Sequence, residues 1–168
     1  MKFEIVEVDE LSGPKAKIYS VVLDGEDGTL FDDFLQQYNK THPSEVTEIV
    51  DRLRVMGKRE GARWEHFKHN EGKPGDLVCA LYDIPGSKLR LYCIRFGCVA
   101  IVLGGGGEKK KDIRAYQEDP ILNRQAEIMK YVSQEIMKAQ REKDIKLTAN
   151  GELVGNLIFN DEENEDDE

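Results

Sequence analysis

The run at 98–103, CVAIVL, constrains the fold more than any other segment. Six uncharged, mostly apolar residues in a row cannot alternate between core and solvent. They predict a central strand buried on both faces. Two strand-like runs precede it closely, at 77–82 and 89–96, separated by the turn residues Ile84, Pro85, Gly86 and Ser87. Gly97 turns the chain into the third run. Three strands with such short connections predict an antiparallel meander.

Upstream, 3–8 alternates and 16–23 is β-rich, with Ser12, Gly13 and Pro14 as a turn between them. This predicts an N-terminal hairpin. Thr29 is a natural N-cap for a helix carrying Leu30, Phe31, Phe34, Leu35 and Tyr38 at helical spacing. His42 and Pro43 end it. Ser44 is positioned to cap a second helix with the stripe Val46, Ile49, Val50, Leu53 and Met56, and Gly57 to close it. The two helices predict an antiparallel pair. After the meander, the glycines at 104–107 stop the third strand. Asp119 as N-cap and Pro120 at the first position start a long helix with the stripe Ile121, Leu122, Ile128, Met129, Val132 and Ile136, fading near Arg141. Asn150-Gly151 between 146–149 and 152–159 signals a two-residue type I′ hairpin.

Strands and helices in runs rather than strict alternation indicate an α+β fold. The expected architecture is an antiparallel sheet, made of the N-terminal hairpin and the meander, packed against the helical pair and the C-terminal helix. Residues 1–144 form the domain, 145–159 a hairpin extension, and 160–168 (NDEENEDDE) an acidic tail too polar to order itself.

None of the apolar runs among the 168 residues approaches the ~20 needed to span a bilayer. The start, MKFEIVEVDE, lacks the basic and apolar regions of a signal peptide. A soluble, cytoplasmic chain with no membrane partner is expected. Cys79, Cys93 and Cys98 are odd in number and lack CxxC spacing, which argues against a disulfide framework or a zinc site. All three are expected to be reduced core thiols. No metal or cofactor is called for.

The net charge of −9 is unevenly placed. Residues 145–168 hold eight acids and one lysine, leaving the other 144 residues at only −2. Residues 88–114 hold seven bases (Lys88, Arg90, Arg95, Lys109, Lys110, Lys111, Arg114) against Glu108 and Asp112. A basic working surface on an acidic chain is the footprint of a polyanionic ligand.

The glycine run does not make a phosphate loop: Gly107-Glu108-Lys109-Lys110 lacks the Ser or Thr that would hold magnesium. Its plainer role is a sharp bend. The three lysines after it have the plain reading of a solvated loop. Their neighbours favour a functional one. Arg90 and Arg95 are five apart and face opposite sides of an ideal strand. Arg90 shares parity with Tyr92, Ile94 and Phe96. An arginine beside a tyrosine grips phosphate and stacks a base, as single-stranded RNA is commonly held. His42 reads as structural, and His66 and His69 as exposed and without function.

Residues 77–116, LVCALYDIPGSKLRLYCIRFGCVAIVLGGGGEKKKDIRAY, resemble the core of RelE/HigB-type toxins of toxin–antitoxin systems, within the RelE/ParE superfamily and nearest its phage-derived Gp49-like branch. The matching pieces are the helical pair at 30–57, the strand at 77–82, Arg90-Leu91-Tyr92, the apolar strand, and Lys109 to Lys111 ahead of the helix from Pro120. The resemblance spans about residues 16–140 and implies a RelE-like fold. It implies a metal-independent endoribonuclease that cuts mRNA, on the ribosome, by attack of a 2′-hydroxyl on the adjacent phosphate. Carried over by position, Arg90 binds the scissile phosphate, and Lys110 or Lys111 acts on the transition state. Arg114 and Tyr116 complete the site, and Lys68, with Tyr92, Lys109 and Lys111, contacts RNA. The implied protein partner is a cognate antitoxin of helix-turn-helix type. Two alternatives stay open: a ParE-like topoisomerase inhibitor, and a non-catalytic descendant that only binds a partner. The chain departs from such toxins in its extra N-terminal strand and acidic tail, and that tail is also a candidate for folding back to mask the basic segment.

Overall fold

The computed structural model describes residues 1–69, 77–110 and 119–160. Lys111, Arg114, Tyr116 and the tail at 161–168 therefore lie outside the described residues.

The hairpin forms as expected from β1 (Phe3–Glu7) and β2 (Lys17–Leu23), and the meander from β4 (Val78–Leu81), β5 (Leu89–Phe96) and β6 (Ala100–Glu108). Two short strands extend the sheet at its edges. β3 (Phe67–Lys68) adds to β4, and β9 (Ile158–Phe159) adds to β1, giving the order β3-β4-β5-β6-β2-β1-β9. The sheet is not wholly antiparallel. β2 and β6 pair in parallel, Lys17 opposite Ala100 and Ser20 opposite Leu103, and this seam joins the hairpin to the meander. Ser20 Oγ, fully buried, donates to the Leu103 carbonyl at 2.8 Å across it.

Three helices cover the two faces. On one face α1 (Leu30–Tyr38) and α2 (Pro43–Val55) pack Phe31, Phe34, Val46, Ile49 and Leu53 against Ile18, Leu91, Cys93, Ile101 and Leu103. On the other, α3 (Pro120–Arg141) packs Leu122, Ala126, Met129, Val132 and Ile136 against Ile5, Val21, Tyr92, Ile94 and Val102. The alternation of the two sets along β5 and β6 is the period of two that a covered sheet requires. None of the helices among the described residues is long and apolar enough to cross a membrane.

The caps at Thr29 and Asp119 form as read. Thr29 accepts from the Asp32 amide at 3.0 Å while Asp32 accepts from the Thr29 amide at 3.1 Å, a reciprocal capping box. Asp119 takes the Ile121 and Leu122 amides at 2.9 and 3.1 Å. Ser44 does not cap α2: Pro43 already occupies the first helical position and His42 precedes it. Nor does Gly57 end that helix. A π-helical turn, Met56–Glu60, continues it to Gly61, which adopts φ +84°. Gly57 instead lets two backbones meet, its carbonyl accepting from the amides of Lys15 and Ala16.

The glycines at 104–107 do not stop the third strand but belong to β6. Their missing side chains are what the packing needs. A Cβ on Gly104 would sit 2.6 Å from Met129 Sδ, and one on Gly105 2.5 Å from Gln125 Oε1. One on Gly106 would collide with the Arg90 carbonyl, and one on Gly107 would lie 3.0 Å from Leu122. A bulge here sets Gly104 and Gly105 opposite the single residue Tyr92, so both face α3. Glycine allows α3 to approach where any other residue would hold it off.

Other expectations need correction. Ile121 is half exposed, and Leu122 takes the buried place at the start of α3. Cys79 and Cys93 are buried, whereas Cys98 is exposed in the turn after β5, accepting from Arg95 at 3.3 Å. The C-terminal hairpin of β7 (Ile145–Leu147) and β8 (Leu153–Gly155) turns through 148–152, not through two residues. Thr148 and Glu152 close it, and Gly151 sits at φ +91°. Ile145 and Leu153 are part of the core on the α3 side, and the Leu153 amide donates to the buried Tyr19 hydroxyl at 2.9 Å.

Candidate functional site

Three of the basic residues singled out by the sequence meet at one carboxylate. Asp83 lies two residues past the end of β4. Its Oδ1 lies 3.1 Å from Lys109 Nζ, and its Oδ2 lies 3.4 Å from Arg90 Nη2 and 3.7 Å from Lys68 Nζ. The cations arrive from separate elements: Lys68 from edge strand β3, Arg90 from β5, and Lys109 just past the end of β6. β-Pairing aligns them. Lys68 lies opposite Ala80, Arg90 opposite Gly107, and the Lys109 amide donates to the Lys88 carbonyl at 2.7 Å.

Parity places the cluster on the α3 side of the sheet. Arg90 shares its face with Tyr92, Ile94 and Phe96, all in the core under α3. Arg95 faces the other way. It donates to the Ala62 carbonyl at 2.8 Å and lies over the rings of Trp64 and Phe67.

Access falls off inward. The side chain of Lys68 is 46% exposed, that of Lys109 21% and that of Arg90 11%. Burial alone would raise the Asp83 pKa. The Lys109 hydrogen bond, with the charges of Lys109, Arg90 and Lys68, outweighs it and holds the carboxyl below its usual value. The group of four carries a net charge of +2.

Lys109 also donates to Ser87 Oγ at 3.0 Å, so it grips both sides of the turn between β4 and β5. Beyond it opens a cleft of about 500 Å³ lined by Gly86, Ser87, Lys88, Glu108, Lys109 and Lys110. Lys110 is exposed there, as a group that meets a ligand must be.

Tyr92 does not meet the expectation placed on it. It is fully buried, so it cannot stack on a base. Parity set its face correctly, but α3 covers that face. The His42 ring packs edge-on against Tyr38, and its Nε2 lies 4.0 Å from Glu108. His66 lies 3.0 Å from Glu60, and His69 stacks on the exposed Trp64 ring at 3.4 Å.

Asp83 was missed by sequence reasoning. The only available signal was an acid in the turn seven residues before Arg90. A second hollow, about 250 Å³ and floored by Ile49, Leu81, Leu89 and Leu91, lies between α2 and the same turn. Its one cation, Arg52, is engaged by Glu48 and the Tyr82 carbonyl, so it offers an anion little. Compared with known protein families, curated proteins and solved structures, the chain matches none.

Proposed function

We propose that this protein binds RNA through the Lys68–Arg90–Lys109 cluster and cleaves it as a metal-independent endoribonuclease of the RelE/HigB kind, held in check by an antitoxin. The convergence of the three cations on Asp83 carries the reading. β-Pairing brings the three cations to one point, where together they can stabilise a phosphorane as negative charge builds. Apart from the short edge strand β3, the order β2-α1-α2-β3-β4-β5-β6-α3, with a basic segment leading into the last helix, is also the order the resemblance implies.

The reaction needs no oxidant or cofactor. The ribose 2′-oxygen bonds to phosphorus as its proton leaves, and the bond to O5′ breaks with a proton supplied to that oxygen. The products are a 2′,3′-cyclic phosphate and a 5′-hydroxyl. Arg90 and Lys109 hold the non-bridging oxygens, Lys68 the flanking backbone, and Lys110 stands in the cleft beside them.

Induced expression tests this. Growth should arrest, mRNA ends should carry cyclic phosphate, and Arg90→Ala or Lys109→Ala should relieve both effects. Intact mRNA, or arrest unchanged in both variants, would sink the proposal. DNA-damage signalling with intact mRNA would point to the topoisomerase alternative.

A further inference from the structure

We infer that Asp83 occupies the place of the ligand phosphate, so that the cluster is closed by an internal anion which an incoming phosphodiester must displace. The inference rests on reading the cluster as a phosphate site and adds its regulation.

Asp83 presents two oxygens to three cations, Oδ1 to Lys109 and Oδ2 to Arg90 and Lys68. A phosphodiester presents two non-bridging oxygens of like charge to the same groups. The two anions compete for one position. Arg90 is the deepest of the three cations, 11% exposed, and its Nη2 faces Asp83 Oδ2. An anion that entered without moving Asp83 would meet a carboxylate, not a guanidinium. Two like charges in that space repel strongly in a partly buried site.

The chain around Asp83 is arranged for such an exchange. Both ends of the turn are pinned. On one side, the Tyr82 carbonyl accepts from Arg52 at 2.8 Å and the Tyr82 amide donates to the His66 carbonyl at 2.8 Å. On the other, the Lys88 and Leu89 amides donate to the Glu45 carboxylate at 2.5 and 2.9 Å. The middle is not packed. Ile84, Pro85 and Gly86 are exposed, and a Cβ built on Gly86, at φ +85°, would meet nothing within 4 Å. The holds on the middle include the Ser87 amide to the Ile84 carbonyl at 2.9 Å, and the Lys109 contacts to Asp83 and Ser87. Lys109 is thus the shared latch: a phosphate that takes its ammonium releases both sides of the turn together.

The test uses inorganic phosphate and a short 2′-O-methyl ribo-oligonucleotide, which the proposed reaction cannot cleave. Each is titrated at low salt against the full chain, Asp83→Asn, and Glu127→Gln as a control that removes the same charge from the exposed face of α3. Asp83→Asn should bind both probes on the order of tenfold tighter, and Glu127→Gln should match the parent. Equal or weaker binding by a folded Asp83→Asn protein overturns the inference. Should that variant fail to fold, amide exchange of the parent decides: saturating phosphate should speed exchange at the Ser87 amide, and unchanged or slower exchange overturns it. The two proposals separate cleanly. Tighter phosphate binding without RNA cleavage keeps the internal anion and rejects the nuclease. Cleavage without tighter binding does the reverse.

Discussion

The carboxylate of Asp83 and the ammonium of Lys109, 3.1 Å apart, tie the turn after β4 to the end of β6. One is an acid in a short polar turn, the other the first of a lysine run, and neither has its role without the other. The pair also makes the site's stability depend on acid.

Because Asp83 is held below its usual pKa by the cations around it, its ionised form favours the folded state. That contribution is complete above about 3.8, the ordinary value, and is lost as pH falls through the depressed folded value. Asp83→Asn should therefore be less stable than the parent near pH 7, by about 1 kcal/mol. The gap should close as pH drops below that range. Urea unfolding of both proteins from pH 7 down to about pH 2 measures it, and a gap that stays constant to the acid end would remove the electrostatic explanation.

On the proposed activity, Arg90→Ala and Lys109→Ala should each slow RNA cleavage by about 100-fold, since each removes a donor aimed at the developing charge. Lys68→Ala, on the exposed rim, should weaken binding more than turnover. Single-turnover rates against RNA concentration separate the two effects.

Tyr92→Phe should leave RNA affinity unchanged, because the side chain is fully buried. Tyr92→Ala should instead cost about 3–5 kcal/mol of folding stability, as large-to-small core changes do. Filter binding and chemical denaturation on the same two variants check both halves.

Gly106→Ala should destabilise more than Gly104→Ala. The first places a methyl against the backbone carbonyl of Arg90, which cannot yield without moving β5. The second meets the side chain of Met129, which is flexible enough to turn aside. A loss of about 2–3 kcal/mol against about 1 kcal/mol is expected, read from unfolding midpoints.

Much of the fold was legible wherever the signal is local. The hairpin and meander show in the period of two and in turn residues, and Thr29 and Asp119 show in capping chemistry. Parity alone set Arg90 and Arg95 on opposite faces. Some local readings failed too, namely the cap at Ser44, the helix end at Gly57 and the two-residue turn at Asn150-Gly151, but the larger misses depend on a third element. Parity names the face of Tyr92 but not the helix that buries it. The glycine run reads as a break in one dimension, and only the approach of α3 shows why a strand would need it. Asp83 carries no periodic signal, since the cations that define it come from three separate pieces of chain. The parallel pairing of β2 with β6 is silent for the same reason.

That seam has a consequence for how the chain reaches its fold. Ser20 and Leu103, bonded across it, are 83 residues apart. The hairpin and the meander close short loops, but neither covers the other until the seam zips. Closing so long a loop loses chain entropy before any contact repays it. Pairing across the seam is therefore the step expected to limit folding, on a timescale of roughly milliseconds to seconds. Until they meet, the apolar edge of β6 is open, and that interval is when newly made chains are most exposed to pairing with one another.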